Sequence, residues 1–525
     1  MSVRSWLRFG RVGASGRPAN AAGIVPGDKS RVVKAKARAA FDAGLAAYAA
    51  KDYENAIVYF NRALEQRHDF ADAHNNLGLS CLALGRIEDA VDAFALAIHF
   101  RPLSAHSFHN LALAELQRCN FREALCCLER AIGLDPAFAS AHNTLGHVLT
   151  HQTGDLERGA RHIRQALALS PGDPDILCNL SAVLTQEGRA KDAIETCDKL
   201  LAADADMHEA RLNRGLALLK LGRFDEGWRD YEARKLARGN YEPRALTLRE
   251  WRGEPLADKK ILVYAEQGIG DQIMFASCVP GLMQHAAHCT IECAPQLRSL
   301  FARAFPAALV LAQSNDPKLM QDARAAGVDY QVAIGSLPAQ LRQRREDFSD
   351  KGAYLRADPA RISIWRRRLE ALGPGPKVGV SWAGGAASTG GARRSTRLAD
   401  WAPILENERC HFISLQYGDA GALTGARPGR LNIWPDALET YDETAALVAA
   451  LDLVITVQTA LVHLAGALGR PAWVMVQAAC EWRYGEHHET MPWYPSIRLV
   501  RQTEAQAWEP VIAQIARDLA KLSAR

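Results

Sequence analysis

The chain has no C-x-x-C pair, no long apolar run and no strong charge of either sign. Each lack excludes something. Eleven cysteines, an odd number without paired spacing, argue against a disulfide frame or a zinc ribbon and for reduced thiols, as in the cytoplasm. No stretch is apolar for long enough to cross a bilayer. The N-terminus lacks the charged-then-apolar order of a secretory signal. A net charge of +4 on 525 residues gives no footprint for nucleic acid or an anionic surface. Only residues 1–38 are one-sided, with nine Lys/Arg against Asp28. Residues 1–36 therefore read as a disordered basic arm.

What is present is repetition. Ala56, Ala90 and Ala124 recur every 34 residues, as do Phe60, Phe94 and Leu128, and Pro102 and Pro136. One extra residue near Gly154 moves the next proline to Pro171. The period resembles the tetratricopeptide repeat, in six units of two helices over residues 37–235. Such helices bury their apolar faces only by stacking on neighbours. Asn76, Asn110, Asn179 and Asn213 share one slot of the first helix, with Thr144 and Asp42 in the remaining units. A column of amides there either packs locally or pairs with the backbone of an extended peptide. The second alternative resembles the asparagine ladder of O-GlcNAc transferase.

Residues 236–258 carry scattered charge with Pro243, Gly253 and Pro255, and read as a linker held down by Trp251. In "GWRDYEAR" (227–234), Trp228 and Tyr231 share a face and are expected to cap the end of the array. From residue 259 the pattern changes. Short β-branched runs such as "KILVYA", "CTIECA", "YQVAI", "KVGVSWA", "HFISLQ", "DLVITV" and "AWVMV" alternate with helical stretches. This order predicts parallel sheets with helices on both sides. A break at "ALGPGPKVGV" separates a half at 259–372 from one at 373–525.

Seven blocks of this half recur in one family: "GWRDYEAR", "EQGIGDQIMF" (266–275), "VGVSWAGG" (378–385), "RRSTRL" (393–398), "FISLQYGD" (412–419), "LDLVITVQTALVHLAGALGRPAWVMV" (451–476) and "MPWYPSIRLVRQ" (491–502). Together with the repeats they resemble bacterial tetratricopeptide-repeat glycosyltransferases, whose catalytic part is similar to the heptosyltransferases. The resemblance implies a multidomain fold, an α-solenoid followed by a GT-B pair of Rossmann-like domains. The first half would take the acceptor and the second a nucleotide sugar, with no cofactor and no bound metal. It implies transfer of the sugar to a hydroxyl of a protein, flagellin being a plausible acceptor and a nonulosonic acid a plausible sugar. Neither nucleic acid nor stable membrane insertion is expected. The alternative is a repeat adaptor whose GT-B part has lost turnover.

Site residues follow from the same blocks. Asp271 lies at a helix start after Gly268 and Gly270, where ionised carboxylates are favoured and small residues permit close approach. The resemblance makes it the general base, with Gln267 beside it; the plain alternative is a helix cap. On the donor side the resemblance points to Arg394 and Ser395 in the glycine-rich loop 388–398, and to Thr459 and His463 on the strand–turn–helix, where helical amides suit a phosphate. Gln458 stands where the family usually has Asp, which fits either a donor that already bears a carboxylate or decayed activity. Trp482 and Arg483 lie in the aromatic loop 480–495 and complete the set. His487 and His488 with Glu486 and Glu489 fit no standard metal spacing.

Overall fold

The structure is a computed structural model that describes residues 29–237, 248–313, 327–348, 352–385, 391–418, 431–504 and 507–523. The basic arm to residue 28, residues 238–247 of the linker and residues 388–390 of the glycine-rich loop lie outside these. The described residues divide into two compact units, one running to Leu180 and the other from Ser181 onward.

Twelve repeat helices form six pairs: Lys29–Ala49 with Tyr53–Gln66, Ala71–Ala83 with Ile87–Phe100, Ala105–Gln117 with Phe121–Leu134, Ala139–Val148 with Leu156–Leu169, Pro174–Gln186 with Ala190–Ala203, and His208–Lys220 with Phe224–Tyr231. One boundary of the array differs from the sequence reading. The first helix starts at Lys29, so the last eight positions assigned to the arm are helical. The turn inside each pair needs one left-handed residue to close the first helix. Lys51, Gly85, Cys119, Gly154, Gly188 and Gly222 fill that place, with φ between 60° and 77°. The extra residue of the fourth unit is absorbed just before Gly154 as a π-helical turn, Leu149–Thr153. The alternating small and large residues meet between paired helices. Phe94 is fully buried, and a Cβ on Gly78 would lie 2.6 Å from its ring.

In the second unit, β1 (Arg249–Glu250), β2 (Lys260–Tyr264), β3 (His288–Cys293), β4 (Leu309–Ala312) and β5 (Tyr330–Ala333) form a sheet in the order β1-β5-β2-β3-β4. All its pairings are parallel. β1 falls in the stretch assigned to the linker. It is recruited because Trp251 donates its backbone N–H to Gln331 O at 2.8 Å. A second sheet takes β6 (Lys377–Ser381), β7 (His411–Ser414), β8 (Leu431–Asn432), β9 (Leu453–Val457), β10 (Ala472–Val476), β11 (Thr490–Met491) and β12 (Tyr494–Arg501) in the order β11-β12-β10-β9-β6-β7-β8. Only the β11–β12 pairing is antiparallel. β6 and β9 are buried at every position, as parallel strands covered on both faces must be.

The division between halves lies upstream of residue 372. Helix Pro359–Glu370 packs on Tyr441–Ala450 of the second half, and the backbone N–H of Tyr354 donates to Ala467 O. One apolar core runs through the last repeat helix, the first sheet and one face of the second; another lies beneath helix Glu509–Leu522. Trp228 and Tyr231, expected to cap the end of the array, are interior to this core. Trp228 Nε1 donates to Arg342 O at 2.9 Å.

Candidate functional site

In open parallel sheets, ligands sit where the strand order reverses. In the first sheet β3 and β4 follow β2 outward on one side and β5 lies on the other, so the chain reverses between β2 and β5. The turn after β2 holds the Gly-Ile-Gly-Asp stretch. Gln267 adopts φ 61°, strained for a residue with a Cβ, and Gly268 caps helix Ile269–Ala276. The turn is braced from below. Glu266 is buried, meets Arg234 at 2.6 Å and accepts the Gly335 N–H at 2.9 Å, which ties the turn after β2 to the one after β5. Arg234 is raised: burial opposes its charge, and the Glu266 and Glu232 carboxylates outweigh it. Gln267 Nε2 donates to the buried Tyr231 hydroxyl at 2.8 Å.

The second sheet reverses between β6 and β9. The loop after β6 carries Gly384 and Arg394, and the turn after β9 carries Thr459 at the cap of helix Ala460–Ala467. Across these two reversal points runs a chain of alternating charges. Asp271 Oδ1 meets Arg483 Nη1 at 2.5 Å; Arg483 Nε lies 3.1 Å from Glu481 Oε2; Glu481 Oε1 meets Arg394 Nη1 at 3.0 Å. Arg394 Nε also donates to Gly384 O. The Arg483 guanidinium is pushed up in pKa: burial works against it, and Asp271 and Glu481 beside it prevail. Asp271 and Arg483 keep 18% and 16% of their side-chain exposure, so the pair is reachable from solvent but poorly screened.

Several residues singled out from the sequence sit elsewhere than expected. Gly270 faces protein: a Cβ there would lie 3.1 Å from His463 Cδ2 and 3.3 Å from Ala460 Cα. Its smallness lets the two helices that follow β2 and β9 touch near their first turns. His463 is 2% exposed, with Nδ1 3.3 Å from the Tyr494 hydroxyl. Burial first and Arg483 second hold its imidazole well below the ordinary range, so it is neutral at pH 7. It is a packed core histidine behind the charge chain and touches no open space. Gln458 is also 2% exposed and spends Oε1 on the Gln477 N–H, which joins the ends of β9 and β10. Trp482 stands at 90° to Trp228 with ring centroids 5.4 Å apart, so its faces serve packing. The Ser395 hydroxyl closes its own loop, donating to Gly391 O and accepting from Gly384 N, while the Thr459 hydroxyl accepts from Leu461 N. Of the predicted set, the structure brings Asp271, Arg483 and Arg394 together beside Gln267 and Gly268.

Sequence reasoning missed Glu481, the carboxylate that joins the two arginines. Its signal was its place beside Arg483 in the 480–495 loop. Among the described residues no three His, Cys, Asp or Glu side chains gather as metal ligands.

In the first unit the repeated amides stitch successive repeats. Asn110 Nδ2 donates to Asn75 Oδ1 and Asn179 Nδ2 to Asn143 Oδ1, both at 3.0 Å, and His109 Nε2 lies 3.1 Å from Thr144 Oγ1. Each bond joins the slot of one repeat to the residue just before that slot in the preceding one. Asn76 Nδ2 donates within its own helix, to Asp72 O. In the second unit Asn213 Nδ2 donates to Ser181 Oγ at 3.1 Å. One N–H of each amide is thereby committed to packing.

Comparison with known proteins places these features. Tetratricopeptide repeat families match residues 41–105 and 109–174, and residues 151–219. A thermophilic TPR protein of Thermus thermophilus is 24% identical, its solved structure covering 35% of this chain and 99% of its own, with a TM-score of 0.31. Protein FlbA of Caulobacter vibrioides is 31% identical over 493 residues, which span 90% of this chain and 82% of FlbA. Repeats and α/β region thus align together with one protein, and the chain belongs to the FlbA family.

Proposed function

We propose that the chain is a glycosyltransferase of GT-B type that moves a sugar from a nucleotide donor to a hydroxyl of a protein held by the repeats. The observation that carries this reading is the meeting, at 2.5 Å, of Asp271 from the first sheet's reversal point and Arg483 from the loop after β10, with Arg394 of the second sheet's reversal point one carboxylate away. In the step proposed, the acceptor oxygen attacks the anomeric carbon and its proton passes to Asp271. The bond from that carbon to the phosphate oxygen breaks, and the electron pair leaves on the phosphate, where Arg394 and Arg483 receive it. The Arg483 contact uses Asp271 Oδ1, so Oδ2 serves to take up the proton while Arg483 turns toward the phosphate. The resemblance of the sequence blocks favours flagellin as acceptor and a nonulosonic acid as sugar.

The test is transfer, read by intact mass of the acceptor, with wild type and Asp271→Asn. Loss of a general base predicts a rate lower by about 10²–10⁴-fold. Transfer by Asp271→Asn at the wild-type rate would remove the base.

A second reading, an adaptor without turnover, is favoured by Gln458. It is walled in, and its Nε2 has no hydrogen-bond partner among the described residues. Thermal shifts with a panel of nucleotide sugars separate the two, since the adaptor responds to none.

A further inference from the structure

Away from the charge chain, at the other end of helix Ile269–Ala276, lies a cavity of about 450 Å³. Phe305, Phe348, Tyr354 and Trp493 stand among its walls, and no carboxylate does among the described residues. Two arginines do. Arg356 is exposed, whereas Arg342 is only 4% exposed. The Arg342 guanidinium donates to backbone carbonyls, Nη1 to Leu341 O and Nη2 to Ser277 O, and forms no ion pair with a carboxylate among the described residues. A guanidinium carries five N–H donors, so donors remain on it. Ser277 Oγ, also on the wall, is buried and has no hydrogen-bond partner among the described residues. A buried charge without a counter-ion is costly, and so is an unpaired buried hydroxyl. Both costs fall if an anion occupies the cavity.

We infer that this cavity binds a small amphipathic carboxylate. The head group sits on Arg342 and Ser277, and the apolar body lies against Phe305, Phe348 and Trp493. The size is that of a small-molecule site. A single charge is matched by one buried guanidinium, and two carboxylate oxygens by its remaining donors and one hydroxyl. A dianionic phosphate would bring excess charge into the same walls. The inference is independent of sugar transfer, because it uses neither Asp271 nor the two sheet reversal points.

Calorimetric titration of the full chain with octanoate, and with octanamide as its neutral equal, tests it. Octanoate is expected to bind at least about tenfold more tightly than octanamide, the value of charge-assisted hydrogen bonds. Arg342→Met should bring octanoate down to the octanamide level. Since Arg342 also braces Trp228 and Ser277, Ala304→Phe serves as a second variant that fills the cavity from its wall and should weaken both ligands. Equal affinity for the two ligands, no heat with octanoate, or unchanged octanoate binding in Ala304→Phe would each overturn the assignment.

Discussion

Acid should loosen the third and fourth repeats before carboxylates are titrated, and His109 is the cause. It is 2% exposed, and burial, with the neighbouring His106 adding to it, pushes its pKa down to about 4. The Thr144 hydroxyl gives its only proton to Ser140 O, so the bond between it and His109 Nε2 must be donated by the imidazole. That places a proton on Nε2, and burial keeps the ring neutral. An unfolded chain takes up a proton near pH 6.5, whereas the folded one resists until about 4. Between these values the unfolded state binds more protons, so stability falls as pH falls. The slope is at most about 1.4 kcal/mol per pH unit for one group, or roughly 3 kcal/mol across the window. His147 acts in the same direction, its pKa pushed down to about 3 mainly by burial, but it is half-buried and its share is smaller. Hydrogen exchange followed by mass spectrometry on the full chain, from pH 7 to 4.5, reads the effect locally after correction for intrinsic rates. Helices Ala105–Gln117 and Ala139–Val148 should lose protection as pH drops, and His109→Gln should flatten that loss. Equal pH dependence in wild type and variant would refute the argument.

The brace beneath the Asp271 turn makes a second test. Arg234 and Glu266 are 4% and 6% exposed at their side chains, and removing one partner of a buried pair costs about 3–5 kcal/mol. Arg234→Met and Glu266→Gln should each lower Tm by several degrees, and the double variant should lose much less than the sum; additive losses would mean no coupling. The repeat turns make a third. Gly85→Ala places a Cβ at φ 74° and should cost about 1 kcal/mol, while Cys119→Gly relieves φ 60° and should gain up to about 1 kcal/mol. Urea melts compare them, and a destabilised Cys119→Gly would contradict the shared geometry of the turns.

The repeats were legible because each position serves the same contact in every unit. The spacing of Ala56, Ala90 and Ala124 follows from a helix pair that must pack against its like. The strands of both sheets were legible where they are buried on both faces, as in "KILVY" and "LVITV". β12 was not read as a strand because Tyr494, Pro495 and Ser496 open it without an apolar run. β1 is held by Gln331 O from far along the chain, and two residues carry no pattern. The site was half legible for a similar reason. Asp271 announces itself by its glycines, but those glycines serve different ends: Gly268 caps the helix, and Gly270 admits His463. Burial of His463 and Gln458 depends on the first sheet's helix and on the ends of neighbouring strands, which no local window contains.

The chain from Asp271 through Arg483 and Glu481 to Arg394 pairs two carboxylates with two arginines, so its formal charges cancel. That balance constrains any donor. A phosphate group placed on the two guanidinia adds negative charge beside two carboxylates already there, and one of them has to give way. Glu481 is the better candidate, because it bridges both arginines and keeps 34% exposure, whereas Asp271 holds one arginine and keeps 18%. On the transferase reading, Glu481→Gln removes a competing anion while keeping the shape of the bridge. A carboxylate and a phosphate about 5 Å apart repel by roughly 3 kcal/mol at an effective dielectric of about 20. Solvent at Glu481 reduces this, so pyrophosphate should bind about tenfold more tightly to Glu481→Gln than to wild type, as measured by calorimetry. Weaker or unchanged binding would show that Glu481 holds the arginines in place for the anion, and that the carboxylate displaced by donor is Asp271.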